Sequence, residues 1–265
     1  MQFISFSSGS SGNCYLLRTE HNMLLLDAGL SPRKVKQYLS DYGLSLSDAD
    51  AILITHDHTD HIKGAGLMSE EYQLPVYATE AVHEGMCRNY CMSHKVPVPL
   101  RRFVRKDTTF ELGDFRITPF DVPHDSSDCV GYLIEADGVA FCIITDAGHV
   151  TDVIRQFVAR ANYLVLEANH DVDMLNMGPY PAHLKGRIKG ERGHLSNEAG
   201  ARLVAEHATT GLRHLWLCHL SEENNHPELV RKTYEQVFSE YGIKAGLDFS
   251  LTVLKRLVPS EMYNL

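Results

Sequence analysis

The sequence has one tryptophan, six cysteines and ten prolines in 265 residues, and it is short of basic side chains. Against 34 Asp and Glu stand 25 Lys and Arg, a formal net charge of -9. Bulk attraction to a polyanion is thereby excluded, so any nucleic-acid contact has to be local. No apolar run approaches the roughly 18 residues of a membrane span, and mean hydropathy is -0.20. The stretch MQFISFSSGSSGN lacks the basic n-region and long apolar h-region of a secretory signal. The cysteines (Cys14, Cys87, Cys91, Cys129, Cys142, Cys218) show no paired zinc-knuckle spacing. Cys14, Cys142 and Cys218 lie in apolar strand-like runs, where a free thiol acts as a small hydrophobe. Cys87 and Cys91 fit two positions on one helix face. A reduced, cytoplasmic protein is expected.

What is present is an ordinary globular balance, 44% hydrophobic and 22% charged, which excludes collagenous, coiled-coil and disordered chains. The length suits one large α/β domain with a sizeable core. Strands are expected at Gln2–Phe6, Cys14–Arg18, Met23–Leu26, Ala51–Thr55, Phe115–Val122, Val130–Glu135, Val139–Thr145, Tyr163–Glu167, Leu212–Cys218 and Phe249–Lys255. Ser31 with Pro32 starts a helix that Gly43 follows. Ser196 caps another that buries Ala199, Leu203 and Val204. His226-Pro227 opens a third with apolar steps Val230, Tyr234, Val237 and Tyr241. Asp137-Gly138 signals a hairpin. Leu-Leu-Leu-Asp27-Ala-Gly is echoed by Ile-Ile-Thr-Asp146-Ala-Gly, either as two similar halves or as a common way to end a strand. Hairpins mixed with helix-alternating strands favour two mixed sheets covered by helices over a purely parallel sheet.

The excess is histidine, with 15 copies. Four potential ligands, His56, His58, Asp60 and His61, crowd Thr-His-Asp-His-Thr-Asp-His directly after the apolar run Ala51–Ile54. That exceeds what one open catalytic zinc takes, which suggests two metals and partners from elsewhere in the chain. His124, Asp146 and His219 each stand where an apolar strand meets a loop, and supply such partners.

With these residues the sequence resembles the metallo-β-lactamase superfamily, whose signature is H-x-H-x-D-H followed by separate His, Asp and His ligands. The resemblance runs from Asp27 through His219. It implies a four-layer αββα sandwich of two mixed sheets, as a single domain of two similar halves, roughly 1–130 and 131–265. It implies that His56, His58 and His124 hold one metal while Asp60, His61 and His219 hold the second. Asp146 would bridge them, and Asp27 would orient a ligand histidine from behind. Two divalent ions are expected, Zn first, with Mn or Fe compatible with the same nitrogen and oxygen donors. The implied chemistry is hydrolysis by a metal-bridging hydroxide.

Residues outside that set narrow the substrate. Glu167 ends an apolar run, and His194 stands in GHLSNEA before a helix. They resemble the acidic residue and helix-leading histidine of the phosphodiesterase branch that includes tRNase Z and ribonuclease J. The resemblance gives His194 the role of acid and Glu167 that of orienting it, with Asp60 counted among both ligands and catalytic groups. Lys185, Arg187, Lys189 and Arg192 lead into His194 and read as a flexible cationic loop for substrate phosphate. The run Arg101, Arg102, Arg105 and Lys106 reads as the wet face of a strand. The spacings after His124 and Asp146 leave no room for the arm of tRNase Z or the inserted domain of ribonuclease J. SSGSSGNCYL, THDHTDHIKG, GHLSNEA and CHLSEENNHPE are similar to the compact YycJ/WalJ-like group, which implies a 5′-to-3′ DNA exonuclease with nucleic acid as its partner and no membrane. A small-molecule hydrolase (thioester, lactone, β-lactam or cyclic phosphodiester) shares the ligand set and stays open, as does a metal-stabilised regulatory module without turnover. His21, His83, His94, His207 and His214 read as surface or helix residues. His149, His170, His183 and His226 are candidates to line a cleft, and Asn224 and Asn225 to touch substrate.

Overall fold

The computed structural model describes Met1–Leu265. Its strands are β1 (Gln2–Ser7), β2 (Cys14–Arg18), β3 (Met23–Leu26), β4 (Ala51–Leu53), β5 (Val76–Ala78), β6 (Arg101–Phe103), β7 (Phe110–Leu112), β8 (Phe115–Asp121), β9 (Val130–Ala136), β10 (Val139–Ile144), β11 (Tyr163–Glu167), β12 (His214–Cys218), β13 (Ser250–Val253) and β14 (Tyr263–Asn264). The helices are α1 (Pro32–Asp41), α2 (Thr59–Ile62), α3 (Ala65–Tyr72), α4 (Glu80–Arg88), α5 (Asp152–Arg160), α6 (Val172–Met177), α7 (Ala182–Lys189), α8 (Asn197–His207) and α9 (Pro227–Glu240).

The strands form two mixed seven-stranded sheets, ordered β14-β1-β2-β3-β4-β5-β6 and β13-β12-β11-β10-β9-β8-β7. Each has an antiparallel meander that turns parallel at its third long strand: β1-β2-β3 then β4 to β6, and β8-β9-β10 then β11 to β13. The parallel strands are connected through helices, as parallel pairs require. The chain falls into two compact units. One holds Met1–Pro119, Ser126–Val130 and Lys255–Leu265; the other holds Phe120–Asp125 and Gly131–Leu254.

In the first unit, alternate residues of the sheet (Ile4, Phe6, Leu16, Leu25, Ile52, Val76) join Val35 and Leu39 of α1, Met68 of α3 and Val82 of α4 in one core. In the second, α5 packs on β10 and α8, and α8 on α9. Most strand residues at the sheet centres are buried on both faces, which is why they read as continuous apolar runs rather than alternation.

The expected caps are present. The Ser31 side chain accepts from Lys34 N, and Ser196 accepts from Ala199 N. The Asp137-Gly138 turn has both φ angles positive, the geometry of a tight hairpin. Two details differ from expectation. Tyr241 lies past the end of α9 and is 42% exposed, because the helix stops at Glu240. Cys91 is off the helix that carries Cys87, since the Asn89 side chain ends α4 by accepting the Cys91 amide. β5, β7 and β14 are too short to be read from apolar patterning, while β6 takes in Arg101 and Arg102 of the run read as the wet face of a strand. No helix is long and apolar enough to cross a membrane.

Candidate active site

In the first unit the backbone leaves β4 through Ile54 and Thr55 and delivers His56, His58, Asp60 and His61 in quick succession. His56 pairs with Cys129 as an isolated bridge, and His58 caps the short α2 that carries Asp60 and His61. The His56 ring lies 4.0 Å from that of His61 and 4.8 Å from that of His58, centroid to centroid. Asp57, the outward residue of the motif, accepts from the amide and hydroxyl of Ser127.

Behind this loop stands Asp27, fully buried, with φ of 56°. Its Oδ2 accepts from His61 Nδ1 at 2.7 Å, and its Oδ1 accepts from Thr55 N at 2.8 Å. The proton on Nδ1 makes the other ring nitrogen of His61, Nε2, the acceptor, which is the tautomer a metal ligand needs. The Asn13 amide donates to that Nε2 at 2.9 Å and to Asp60 Oδ2 at 3.2 Å. Asn13 and Thr55 are participants that sequence reasoning missed. Asn13 stood inside a quoted string, and Thr55 next to the first histidine, but neither carries a ligand-type side chain.

In the second unit His124, Asp146, Glu167, His194 and His219 come together beyond the ends of β8, β10, β11 and β12. Asp146 and His219 both adopt left-handed backbone, with φ of 55° and 53°. Such strain at strand ends is characteristic of functional positions. His124 Nδ1 donates to Gly193 O at 3.0 Å, leaving its Nε2 for a ligand. His219 Nδ1 lies 3.2 Å from Asp146 Oδ1 and 3.1 Å from Glu167 Oε1.

Glu167 is fully buried yet completely engaged. Oε1 accepts from His194 Nδ1 at 2.7 Å and His219 Nδ1 at 3.1 Å, while Oε2 accepts from Ala147 N at 2.9 Å and Leu195 N at 3.0 Å. Four donors on one carboxylate make it a supporting group, although one oxygen of it lies within 4.8 Å of candidate ligand atoms on Asp146, His194 and His219. Burial alone raises its pKa, but the His194 charge and the two imidazole hydrogen bonds outweigh that and hold it below the usual carboxylate value. Burial likewise pulls His194 down, but Glu167 and then Asp146 outweigh it and hold the imidazole above its ordinary value. His194 keeps 17% of its side chain exposed, while its Nδ1 is committed to Glu167.

The basic segment differs from expectation. Lys185, Arg187 and Lys189 lie on the eight-residue helix α7 rather than in a flexible loop. Its Ala, Leu, Lys, Arg and Ile are competent helix formers, and Leu184 and Ile188 fall one turn apart on its inner side. Arg187 pairs with Asp125 through two hydrogen bonds, Lys185 Nζ donates to Asn176 O and Lys189 Nζ to Asn176 Oδ1. Arg192, past the helix, is exposed.

Of the other histidines, only His214 falls outside its expected surface or helix setting. His83 is buried on α4, and His214 is a half-buried residue of β12 that stacks on Trp216. His149 and His170 line a cleft beside His194. His183 is exposed and His226 caps α9. Asn224 and Asn225 are buried, Asn225 in an amide pair with Asn197.

The donor set of imidazoles and carboxylates, with two histidines locked by Nδ1 hydrogen bonds, fits divalent metal ions. Residues 22–220 match the model of the beta-lactamase superfamily domain. The chain is 36% identical over 262 residues to exodeoxyribonuclease YycJ of Bacillus anthracis, covering 99% of this chain and 98% of that one. It is 37% identical over 245 residues to exodeoxyribonuclease WalJ of Streptococcus pneumoniae serotype 2 (strain D39), covering 92% and 91%. Among solved structures, the metallo-β-lactamase fold protein YhfI of Bacillus subtilis superposes with a TM-score of 0.72 at 20% identity, covering 99% of this chain and 98% of that one. Sequence and fold thus agree on one assignment: the chain belongs to the metallo-β-lactamase superfamily of hydrolases.

Proposed function

We propose that the protein is a dinuclear metal-dependent phosphodiesterase that degrades DNA from the 5′ end. The observation that carries this reading is the Glu167–His194 pair, a buried and fully engaged carboxylate holding a partly exposed imidazole at 2.7 Å. Such a pair keeps a proton ready for the leaving oxygen of a phosphodiester. The two relatives named exodeoxyribonuclease support DNA as the substrate.

On this reading His56, His58 and His124 would hold one ion and Asp60, His61 and His219 the other, with Asp146 serving both. Zinc suits the donors best, with Mn or Fe compatible. When bound, the two ions supply an activated water and neutralise charge at the attacked phosphate. Asp27 fixes the His61 tautomer, the Gly193 carbonyl fixes that of His124, and Glu167 orients His194 and His219. Of the four cations expected to meet substrate phosphate, Arg192 is the one placed to do so, since Lys185, Arg187 and Lys189 of α7 are engaged with Asn176 and Asp125. The six free cysteines are in keeping with a reducing cytoplasm.

The test is a matrix of Zn, Mn and Fe against end-labelled DNA and RNA, single- and double-stranded. Release of nucleotides from DNA 5′ ends is expected. Inert nucleic acids together with hydrolysis of a thioester, lactone, β-lactam or cyclic phosphodiester replace this reading with a small-molecule hydrolase. His194→Ala should lower turnover by about 10²–10⁴ with near-normal metal content. Metal loss in that variant would make His194 a ligand instead.

A further inference from the structure

The second unit contains a cleft of about 430 Å³ opening beside His194, within the size range of small-ligand sites. His149, His170, Lys189, Val150 and Val172 are among its walls. The assigned chemistry makes no use of His170. Its residue is 3% exposed, and its Nδ1 is buried with no hydrogen-bond partner. Buried polar atoms in native structures are nearly always paired, so one without a partner beside an open cleft calls for an explanation.

The backbone that carries His170 is tied down. His170 O accepts from Asn197 N at 2.9 Å, and the residue forms a bridge with Ser196 at the start of α8. Its neighbours on the chain are tied as well, Asn169 to the His219 carbonyl and Asp171 to that of Asn224. The walls are unlike those of a phosphate site. Val150 and Val172 are apolar, Val172 is 39% exposed, and the one lysine already donates to Asn176. Flat imidazoles, aliphatic side chains and a ring nitrogen without a partner match a nucleobase, which offers a π-face and an edge with both donors and acceptors.

We propose that this cleft is a nucleobase subsite, in which His170 binds the base of the nucleotide next to the scissile bond. It rests on the phosphodiesterase reading for its place beside the leaving group, because His194 belongs to the same cleft. Burial pushes His170 down to about 4, so at neutral pH it meets the base uncharged, with one nitrogen donating and the other accepting.

The probe pair is thymidine 5′-monophosphate and deoxyribose 5-phosphate, titrated into the metal-loaded protein. The phosphate is common to both, so their difference reports the base. The monophosphate is expected to bind about tenfold tighter, the scale of one base contact. His170→Ala should erase the gap, and Val172→Gln, at an exposed wall position that leaves the core intact, should narrow it. Equal binding of the two probes to the unaltered protein overturns the proposal. So does a gap that survives both substitutions. DNA cleavage is scored separately: a cleaving enzyme without the gap loses the subsite alone, and a gap without cleavage retains the subsite and discards the nuclease.

Discussion

Both sheets place an aspartate in left-handed backbone just past their third meander strand, Asp27 after β3 and Asp146 after β10, with φ of 56° and 55°. Each is followed by Ala-Gly, and each glycine is required by the same kind of close approach. A Cβ on Gly29 would lie 1.7 Å from the Asp60 carbonyl oxygen, and one on Gly148 would lie 2.2 Å from that of Glu191. So in both units the turn backs directly onto the segment that carries the functional histidine, His61 in one and His194 in the other. The units then diverge. Asp27 is withdrawn behind its loop and supports one histidine. Asp146 lies beside His219, and support passes to Glu167 on the adjacent parallel strand, which holds two histidines and two backbone amides. A shared turn has been given two uses, and the unit with the more heavily engaged carboxylate is the one in which a single side chain orients two histidines.

The largest effect should come from breaking that engaged carboxylate. Four donors converge on Glu167, and Gln offers a single oxygen, so in Glu167→Gln two of them meet an NH₂ group instead. Turnover on DNA should fall by about 10²–10⁴, as for loss of an oriented acid. Metal affinity should fall by about 10–100-fold as His219 loses its support. A separate readout comes from proton NMR of the metal-free protein. With the Glu167 charge removed, burial dominates and the His194 pKa drops from its raised value, so the ring loses its proton at a lower pH. An unchanged His194 titration would show that Glu167 does not hold the proton.

Asp27→Asn is the matching cut in the first unit and should cost less. Asn tolerates left-handed backbone, so the turn survives. With its oxygen kept on Thr55, its NH₂ faces His61 Nδ1 and drives the ring to the tautomer protonated at Nε2. Metal affinity should fall by about 10–100-fold, with turnover recovering at saturating metal. Recovery in Asp27→Asn together with none in Glu167→Gln, measured across a metal titration, would establish the division of labour. Equal recovery in both would erase it.

How much of this was legible in the sequence depends on the range of the interaction. The H-x-H-x-D-H loop, the caps at Ser31 and Ser196 and the Asp137-Gly138 hairpin are local, so spacing and residue type suffice. Only the family resemblance connects Glu167 with His194 at the level of sequence: the hydrogen bond between them joins residues 27 apart and follows from where β11 ends relative to the turn before α8. Asn13 was unreadable as a site residue because its amide reaches Asp60 and His61 through a turn of the backbone after β1. The misread basic segment has the opposite cause. Glycines among cations suggest a loop, but Gly186 faces open space, where its cost to a helix is small, and Leu184 and Ile188 anchor the helix from the inner side.

The smallest expected effects concern those cations, and they test where the proposed contact with nucleic acid lies. In the first unit Arg101 and Arg102 turn back onto carbonyls of Val96, Pro99 and Arg101 itself, so their charges serve the chain's own backbone. In the second, Arg187 is committed to Asp125 in a bidentate pair. Arg192 differs in being exposed beyond the helix, two residues before His194. Each phosphate contact adds about one to the slope of log affinity against log salt. Arg192→Ala should therefore reduce that slope by about one for DNA binding, while Arg102→Ala and Arg187→Ala leave it nearly unchanged. A full unit lost in Arg102→Ala would place the backbone contact on β6 instead.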